Sequence, residues 1–155
     1  MLFLDTSAFV KVYFKELGSE SVIARFTSPG QVLAASVLSF AEMHSAMARK
    51  HREKQLSLAE LSNLRETFER DWENLVNAVE LNRQTMAALP GLVERHPLKS
   101  ADAIQLSAAL WLRDYLDAGR YSGEGKVLEF GVCDQILAES ARKCGLVVFN
   151  PEEER

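Results

Sequence analysis

The sequence predicts an α/β fold in three layers, with a central parallel β-sheet covered by helices on both faces. Short apolar runs alternate with amphipathic segments of helical period along the 155 residues, which is the pattern of strand–helix–strand units. The first run, over 1–4, consists of four consecutive large apolar residues. Such a run is typical of a strand that is buried on both faces. Parallel strands also need long crossovers, and the helical segments supply them.

The first half of the chain predicts two strand–helix units. Apolar residues recur at helical spacing directly after the first run, and Ser28-Pro29-Gly30 marks a turn before the second run. Serines precede the helical segments and are suited to cap them. In order, the expected elements are a strand over 1–4, helices over 6–14 and 19–26, a strand over 32–35, and a helix from Ser36 or Ser39 to about Lys54.

The second half opens with a capping box, Ser57-Leu58-Ala59-Glu60, whose two polar side chains can bond to the free amides of a helix start. A stripe of leucine and aromatic residues makes the helix over 58–75 amphipathic. Pro90-Gly91 interrupts a helical segment over 84–94, and Ser100 is expected to cap the next helix. The other expected elements are strands over 76–81, 127–132 and 146–149, helices over 100–117 and 134–143, and a glycine-rich loop over 117–126.

Length and composition favour one soluble domain over 1–150, followed by a frayed and solvated acidic tail over 151–155. The longest stretch without a charged residue has 15 residues, fewer than the roughly 20 that span a membrane, and the short apolar start does not resemble a signal peptide. Cys133 and Cys144 lack metal-ligand or disulfide spacing. We therefore expect a cytoplasmic protein in which both cysteines are buried and structural.

Four acidic residues, Asp5, Glu42, Asp102 and Asp134, stand in otherwise uncharged segments. Each has a structural interpretation: Asp5 and Asp134 as helix N-caps, Asp102 as a first-turn acid, and Glu42 as the end of a capping box that starts at Ser39. The alternative is that they converge where strands end and helices begin. At about 5 Å separation each pair would repel by roughly 3 kcal/mol at an effective dielectric constant of about 20. Six such pairs exceed the typical stability of a domain.

A divalent cation relieves this repulsion better than protons do. Carboxylate oxygens favour Mg²⁺ or Mn²⁺ over zinc. A cation held by carboxylates with open positions can polarise a phosphoryl oxygen and lower the pKa of a bound water. The natural substrate of such a site is a phosphodiester. The formal charge of −4 means that a polyanionic substrate must be attracted by local basic patches or by the cations themselves.

At these residues the chain resembles the PIN-domain family, in particular its small toxin ribonucleases of bacterial toxin–antitoxin pairs. The resemblance covers almost the whole chain in the right order. The segments that carry it are Phe3-Leu4-Asp5-Thr6-Ser7-Ala8, Ser39-Phe40-Ala41-Glu42, the stretch over 98–109 that contains Ser100-Ala101-Asp102-Ala103, and Phe130-Gly131-Val132-Cys133-Asp134. Many relatives have threonine two residues before the fourth acid, where this chain has Val132.

The resemblance implies a PIN-like fold and an Mg²⁺- or Mn²⁺-dependent ribonuclease. Asp5 and Asp102 would be metal ligands, Glu42 would complete the acidic core, and Asp134 would bind the metal through water. Thr6 or Ser7 would orient Asp5 or meet a phosphate of the substrate.

The expected partners are an RNA substrate, a cognate antitoxin and a second copy of the chain in a homodimer. Arg49 and Arg52, at the end of the helix that carries Glu42, and Lys99, just before Asp102, are the expected RNA contacts. The apolar faces of the helices over 8–26 and 39–54, with Phe9 as one position, are the expected antitoxin contact. His44 lies within one turn of Glu42 but is not needed as a base.

Three other interpretations concern the chemistry. A haloacid-dehalogenase-like phosphatase would have a second acid where this chain has Ser7. A PIN-type nuclease could act in RNA processing or on DNA without an antitoxin. A PIN-like binding module could have lost activity, although all four acids are present.

Overall fold

The computed structural model describes residues 1–119 and 127–153. In these residues the strands are β1 (Leu2–Leu4), β2 (Leu33–Ser36), β3 (Val76–Val79), β4 (Glu129–Gly131) and β5 (Val147–Phe149). The helices are α1 (Thr6–Tyr13), α2 (Ser19–Phe26), α3 (Val37–Arg52), α4 (Leu58–Leu75), α5 (Arg83–Met86), α6 (Leu89–Arg95), α7 (Ser100–Asp117) and α8 (Gln135–Lys143). The strands form one parallel sheet in the order β3-β2-β1-β4-β5.

The sheet separates two apolar cores, and this confirms the predicted three-layer architecture. Alternate residues of the central strands point to opposite faces. Phe3 and Phe130 pack with the apolar sides of α7 and α8 in one core. Leu2 and Leu4 pack with α1, α3 and α4 in the other. All three residues of β1 are 1% exposed or less, as the uninterrupted apolar run predicts for a strand covered on both faces.

One helix start matches the first of two predicted alternatives, and another differs from the prediction. Ser36 is the N-cap of α3, because its Oγ accepts a hydrogen bond from the Leu38 amide at 3.2 Å. Ser39 therefore lies inside the helix, and the expected capping box between Ser39 and Glu42 does not form. Lys99, not Ser100, occupies the N-cap position of α7. The capping box at Ser57 and Glu60 is present as predicted.

The C-terminal segment is not frayed over residues 151–153. Pro151 is buried, and a Cβ added at Gly18 (φ +83°) would lie 2.5 Å from the Pro151 carbonyl oxygen. Glu152 reaches the buried Lys11 ammonium, with its Oε1 2.7 Å from Nζ. The expectation of a frayed tail is therefore wrong for these residues, because the buried Lys11 and the close approach of Gly18 hold the segment, although Glu152 and Glu153 are exposed as expected. Glu154 and Arg155, like most of the predicted loop over 117–126, lie outside the described residues.

Glu152→Gln is expected to lower the free energy of unfolding by about 1–3 kcal/mol, because glutamine can still accept a hydrogen bond but no longer carries the charge that neutralises the buried Lys11 ammonium. Burial acts to lower the pKa of Lys11, but the nearby carboxylates outweigh it and the pKa is raised. After the substitution only Glu16 remains, 3.6 Å from the ammonium. Urea denaturation at neutral pH measures the change. Glu153→Gln, at an exposed partner of Arg142, is the control, and an equal loss in both variants would contradict the role of Glu152.

Two other expectations about burial are wrong. Cys133 and Cys144 are free thiols that are only partly buried. Burial raises the pKa of the Cys133 thiol to about 12. Phe9 is fully buried in an aromatic cluster with Phe68 and Trp72, so it belongs to the core and is not a surface for an antitoxin.

None of the helices in the described parts of the chain combines the length and apolar character needed to cross a membrane.

Candidate active site

The first predicted acid, Asp5, directly follows β1 and is the N-cap of α1. Its Oδ2 accepts hydrogen bonds from the Ser7 amide at 2.9 Å and from Ser7 Oγ at 2.5 Å. The Cys133 amide, in the loop after β4, donates in turn to Ser7 Oγ at 2.9 Å. Ser7 therefore fixes Asp5 and links it to the neighbouring strand end. Of the two residues expected to orient Asp5 or to meet a phosphate, Ser7 is the one whose amide and hydroxyl bond to the Asp5 carboxylate.

Glu42 lies on α3 and is held by side chains from two other helices. Its Oε2 accepts a hydrogen bond from Thr6 Oγ1 at 2.5 Å and from Gln105 Nε2 at 3.0 Å. Gln105 Nε2 also lies 2.9 Å from Ser39 Oγ and 3.1 Å from Thr6 Oγ1. We call these four residues, Thr6, Ser39, Glu42 and Gln105, the Gln105 network. It joins the starts of α1, α3 and α7 at one edge of the sheet.

Asp102 and Asp134 lie at the starts of α7 and α8. Asp102 Oδ2 accepts from the Lys99 amide at 3.3 Å, and Asp134 Oδ1 accepts from the Leu137 amide at 2.8 Å. The capping interpretation is therefore correct for Asp5, Asp102 and Asp134, and it is wrong for Glu42. The hydrogen bonds that cap the helices fall on one oxygen of each carboxylate, Oδ2 of Asp5 and Asp102 and Oδ1 of Asp134.

Electrostatic coupling shows which acids are neighbours. Burial raises the pKa of Asp5 from 3.8 to about 6, against the hydrogen bonds from Ser7, and the charge of Glu42 adds to the increase. The pKa of Asp102 is also raised, first by partial burial and then by the charges of Asp134 and Glu42. Asp5 and Asp102 therefore both lie near Glu42, and Asp102 also lies near Asp134; we call the neighbourhood of these four carboxylates the acidic site.

The donor set of this acidic site fits a hard divalent cation, because it offers only oxygen ligands. Asp5 is 6% exposed, and a buried carboxylate that neighbours other carboxylates favours a counter-ion. However, the described residues contain no group of three or more acidic, histidine or cysteine side chains placed to hold a metal ion. The acids are therefore neighbours without forming a closed ligand cage, and their role as ligands stays a prediction.

The Gln105 network was not predicted from the sequence. Gln105 is 1% exposed, and its Oε1 is buried without a hydrogen-bond partner in the described part of the chain. A signal was present, because Gln105 is a polar residue on the apolar face of a helix, three residues after Asp102. A buried polar group needs partners, but the sequence does not show which residues provide them.

The predicted substrate contacts lie at different distances from the acids. Lys99 is exposed beside Asp102. Arg49 and Arg52 are exposed on α3, about 10 and 15 Å from Glu42 along the helix axis at about 1.5 Å per residue. His44 faces α4, where its Nε2 lies 3.4 Å from Glu69 Oε1, so it points away from the Gln105 network.

Val132 is fully buried and belongs to the core between the sheet and α7. The position that carries a hydroxyl in many relatives is therefore apolar here.

Comparison with known proteins decides the family. The family model of the PIN domain matches residues 2–114. The chain belongs to the PIN-domain family. The match includes Asp5, Glu42 and Asp102 but ends before Asp134, so the family model covers the first three acids and not the fourth.

Two curated relatives of this PIN domain are Ribonuclease VapC45 and Ribonuclease VapC49, from two strains of Mycobacterium tuberculosis. Each is 33% identical over 117 residues, which cover 74% of this chain and 78% of the relative. Solved structures share the fold. They include VapBC2 from Rickettsia felis bound to a promoter DNA fragment, with a TM-score of 0.63, 11% identity and coverage of 97% and 98%. FitAB bound to a DNA fragment has a TM-score of 0.68, 16% identity and coverage of 100% and 98%.

Proposed function

We propose that this PIN domain is an Mg²⁺- or Mn²⁺-dependent endoribonuclease and the toxin of a toxin–antitoxin pair. The observation that carries the proposal is the acidic site at the carboxyl edge of the sheet, with Asp5 and Glu42 each held in place by hydroxyl or amide donors. The two curated relatives are named as ribonucleases, which supports the activity. Structural neighbours are described as toxin–antitoxin complexes or as VapBC and FitAB assemblies.

In this mechanism Asp5 and Asp102 would hold a divalent cation, with Glu42 and Asp134 completing its environment. When bound, the cation would supply Lewis-acid chemistry for a phosphodiester and would lower the pKa of a bound water. Ser7 holds Asp5 by two hydrogen bonds to one carboxylate oxygen. Thr6 and Gln105 hold Glu42 in the same way. Such preorganisation means that the carboxylates need not rearrange when the reaction occurs.

Lys99, Arg49 and Arg52 would contact the phosphate backbone of a single-stranded or looped RNA. We further propose a cognate antitoxin, a homodimer and a cytoplasmic location.

The test is cleavage of single-stranded RNA with Mg²⁺ or Mn²⁺ and with EDTA, comparing the wild type with Asp5→Asn and Asp102→Asn. Cleavage is expected to require the metal and to leave a 5′-phosphate. Both variants are expected to be at least about 100-fold slower, because the cation supplies several kcal/mol and about 1.4 kcal/mol corresponds to tenfold. Equal activity in EDTA would refute the metal mechanism. Co-purification of the wild type with a small protein expressed from a neighbouring gene tests the antitoxin.

A further inference from the structure

A cavity of about 420 Å³ opens between α6, α7 and the end of α8. Its lining combines four basic side chains with an apolar floor that includes Leu92 and Leu110. The basic residues are Arg95, His96, Arg113 and Lys143. We call it the basic cavity. The residues that line it include no carboxylate.

The basic cavity carries uncompensated positive charge. Arg113 is anchored, because its Nη1 donates to the Cys144 carbonyl at 2.7 Å and its Nη2 lies 2.8 Å from Asp114 Oδ1. Arg95 and Lys143 are exposed, and no acidic residue in the described ranges forms an ion pair with either. Among the described residues, the cavity thus keeps two cations without an ion-pair partner, in a chain whose formal charge is −4.

The basic cavity lies away from the acidic site but on the same helices. Arg113 follows Asp102 on α7 by 11 residues, which is about 16 Å along the axis at about 1.5 Å per residue. Lys143 ends α8, the helix that Asp134 caps. Lys99 links the two sites along the chain. Its amide donates a hydrogen bond to Asp102 of the acidic site, and it follows His96 of the basic cavity by three residues. A nucleic-acid strand that occupied both places would therefore have to run along α7 and α8.

We propose that the basic cavity binds a nucleotide of the RNA substrate remote from the cleaved bond, and this rests on the proposed function. Arg95 and Lys143 contact the phosphates, and the apolar floor formed by Leu92 and Leu110 receives the ribose or base. A phosphate gains from cations that have no protein counter-ion, and it releases its own counterions on binding. Because the net charge of the protein opposes RNA binding, local sites of this kind determine the affinity.

The test is binding of a fluorescent single-stranded RNA to the full chain in EDTA, over a series of salt concentrations. The double variant Arg95→Gln/Lys143→Gln is expected to raise Kd about tenfold or more at low salt. It is also expected to reduce the slope of log K against log salt by about 1.4, since each phosphate contact with a single strand contributes about 0.7. Thermal melting checks that both substituted proteins are folded.

The matched control is Arg65→Gln/Arg83→Gln, which removes the same charge from exposed positions on α4 and α5. If the basic cavity is a specific site, only the cavity variant should bind RNA more weakly and show a smaller slope of log K against log salt. Equal losses in both pairs would overturn the inference and indicate a general charge effect, and no loss in the cavity variant would overturn it as well. If the wild type cleaves RNA with metal while the cavity variant binds normally, only this inference fails. If the wild type neither binds nor cleaves RNA, the proposed function fails too.

Discussion

Asp5→Asn is expected to abolish metal-dependent RNA cleavage and, in the metal-free protein, to raise the free energy of unfolding near neutral pH. Burial raises the pKa of Asp5 from 3.8 to about 6, so the folded protein disfavours the charged carboxylate. The interval between these values corresponds to about 3 kcal/mol at about 1.4 kcal/mol per pH unit. Asparagine is also a good N-cap. Because it loses part of the interaction with Ser7, we expect a net gain of about 1–3 kcal/mol.

The pH dependence follows from the sign of the change. Between pH 3.8 and about 6 the folded state holds the Asp5 proton more tightly than the unfolded state does. Folding stability contributed by this group therefore falls as pH rises through that window and is constant above it. The difference between Asp5→Asn and wild type should thus be smallest at acidic pH and reach its maximum above the upper value.

Urea denaturation in EDTA across the window measures this difference. Asp134→Asn is the control, because it makes the same substitution at an exposed N-cap and is expected to change stability by only a few tenths of a kcal/mol. A less stable Asp5→Asn protein above pH 6, with the same pH profile as wild type, would show that Asp5 serves the helix and not the acidic site. Added Mn²⁺ should raise the free energy of unfolding of the wild type more than that of the variant, since a ligand that binds only the folded state stabilises that state.

Gln105→Met is expected to lower kcat for RNA cleavage by about 10- to 100-fold, the usual effect of losing a group that orients a metal ligand. Methionine has a similar unbranched shape but cannot donate to Glu42 or Ser39. Glu42 would keep only its Thr6 donor and could rotate away from Asp102. The metal concentration at half-maximal activity should rise, and direct Mn²⁺ titration should show weaker binding.

The fold should tolerate this substitution. Gln105 already leaves Oε1 buried without a partner in the described structure, and such an atom costs about 1–3 kcal/mol. Methionine has no such unpaired oxygen, and this gain in stability offsets much of the stability lost with the three hydrogen bonds of Nε2. Urea denaturation is therefore expected to show a change of about 1 kcal/mol or less.

Ser107→Ala is the matched control, because Ser107 is also buried on α7 and donates to the Thr85 carbonyl outside the acidic site. It is expected to lower stability and to leave kcat and metal dependence unchanged. If Gln105→Met cleaves RNA at the wild-type rate and binds Mn²⁺ normally, Gln105 is a packing residue and does not position Glu42.

Local patterns in the sequence were sufficient for most of the fold. The apolar run before Asp5 predicted β1, and the capping box at Ser57 and Glu60 predicted the start of α4. Both signals depend on neighbouring residues only. The sequence left alternatives open where two local signals competed, as with Ser36 and Ser39, either of which could cap α3. Packing of β2 in the sheet decided this case, because it places Ser36 at the strand end.

The acidic site was predicted from residue types, but its supporting contacts were not. Asp5, Glu42 and Asp102 stood out because a charge in an apolar segment is unusual. Nothing in the sequence paired Gln105 with Thr6, which lies 99 residues earlier. The basic cavity likewise depends on helix packing, since Arg95 and Lys143 are far apart in the chain.

The sequence by itself determined the parallel α/β sheet, the positions of Asp5, Asp102 and Asp134 at helix starts and the PIN-domain family, because strand period, helix period and capping are local properties. Only the tertiary structure decided how those acids are held. It showed that Ser7 fixes Asp5, that Thr6 and Gln105 fix Glu42, and that Glu152 neutralises the buried Lys11 from 141 residues away. These contacts join residues that are brought together only when the helices pack on the sheet, so no local pattern encodes them.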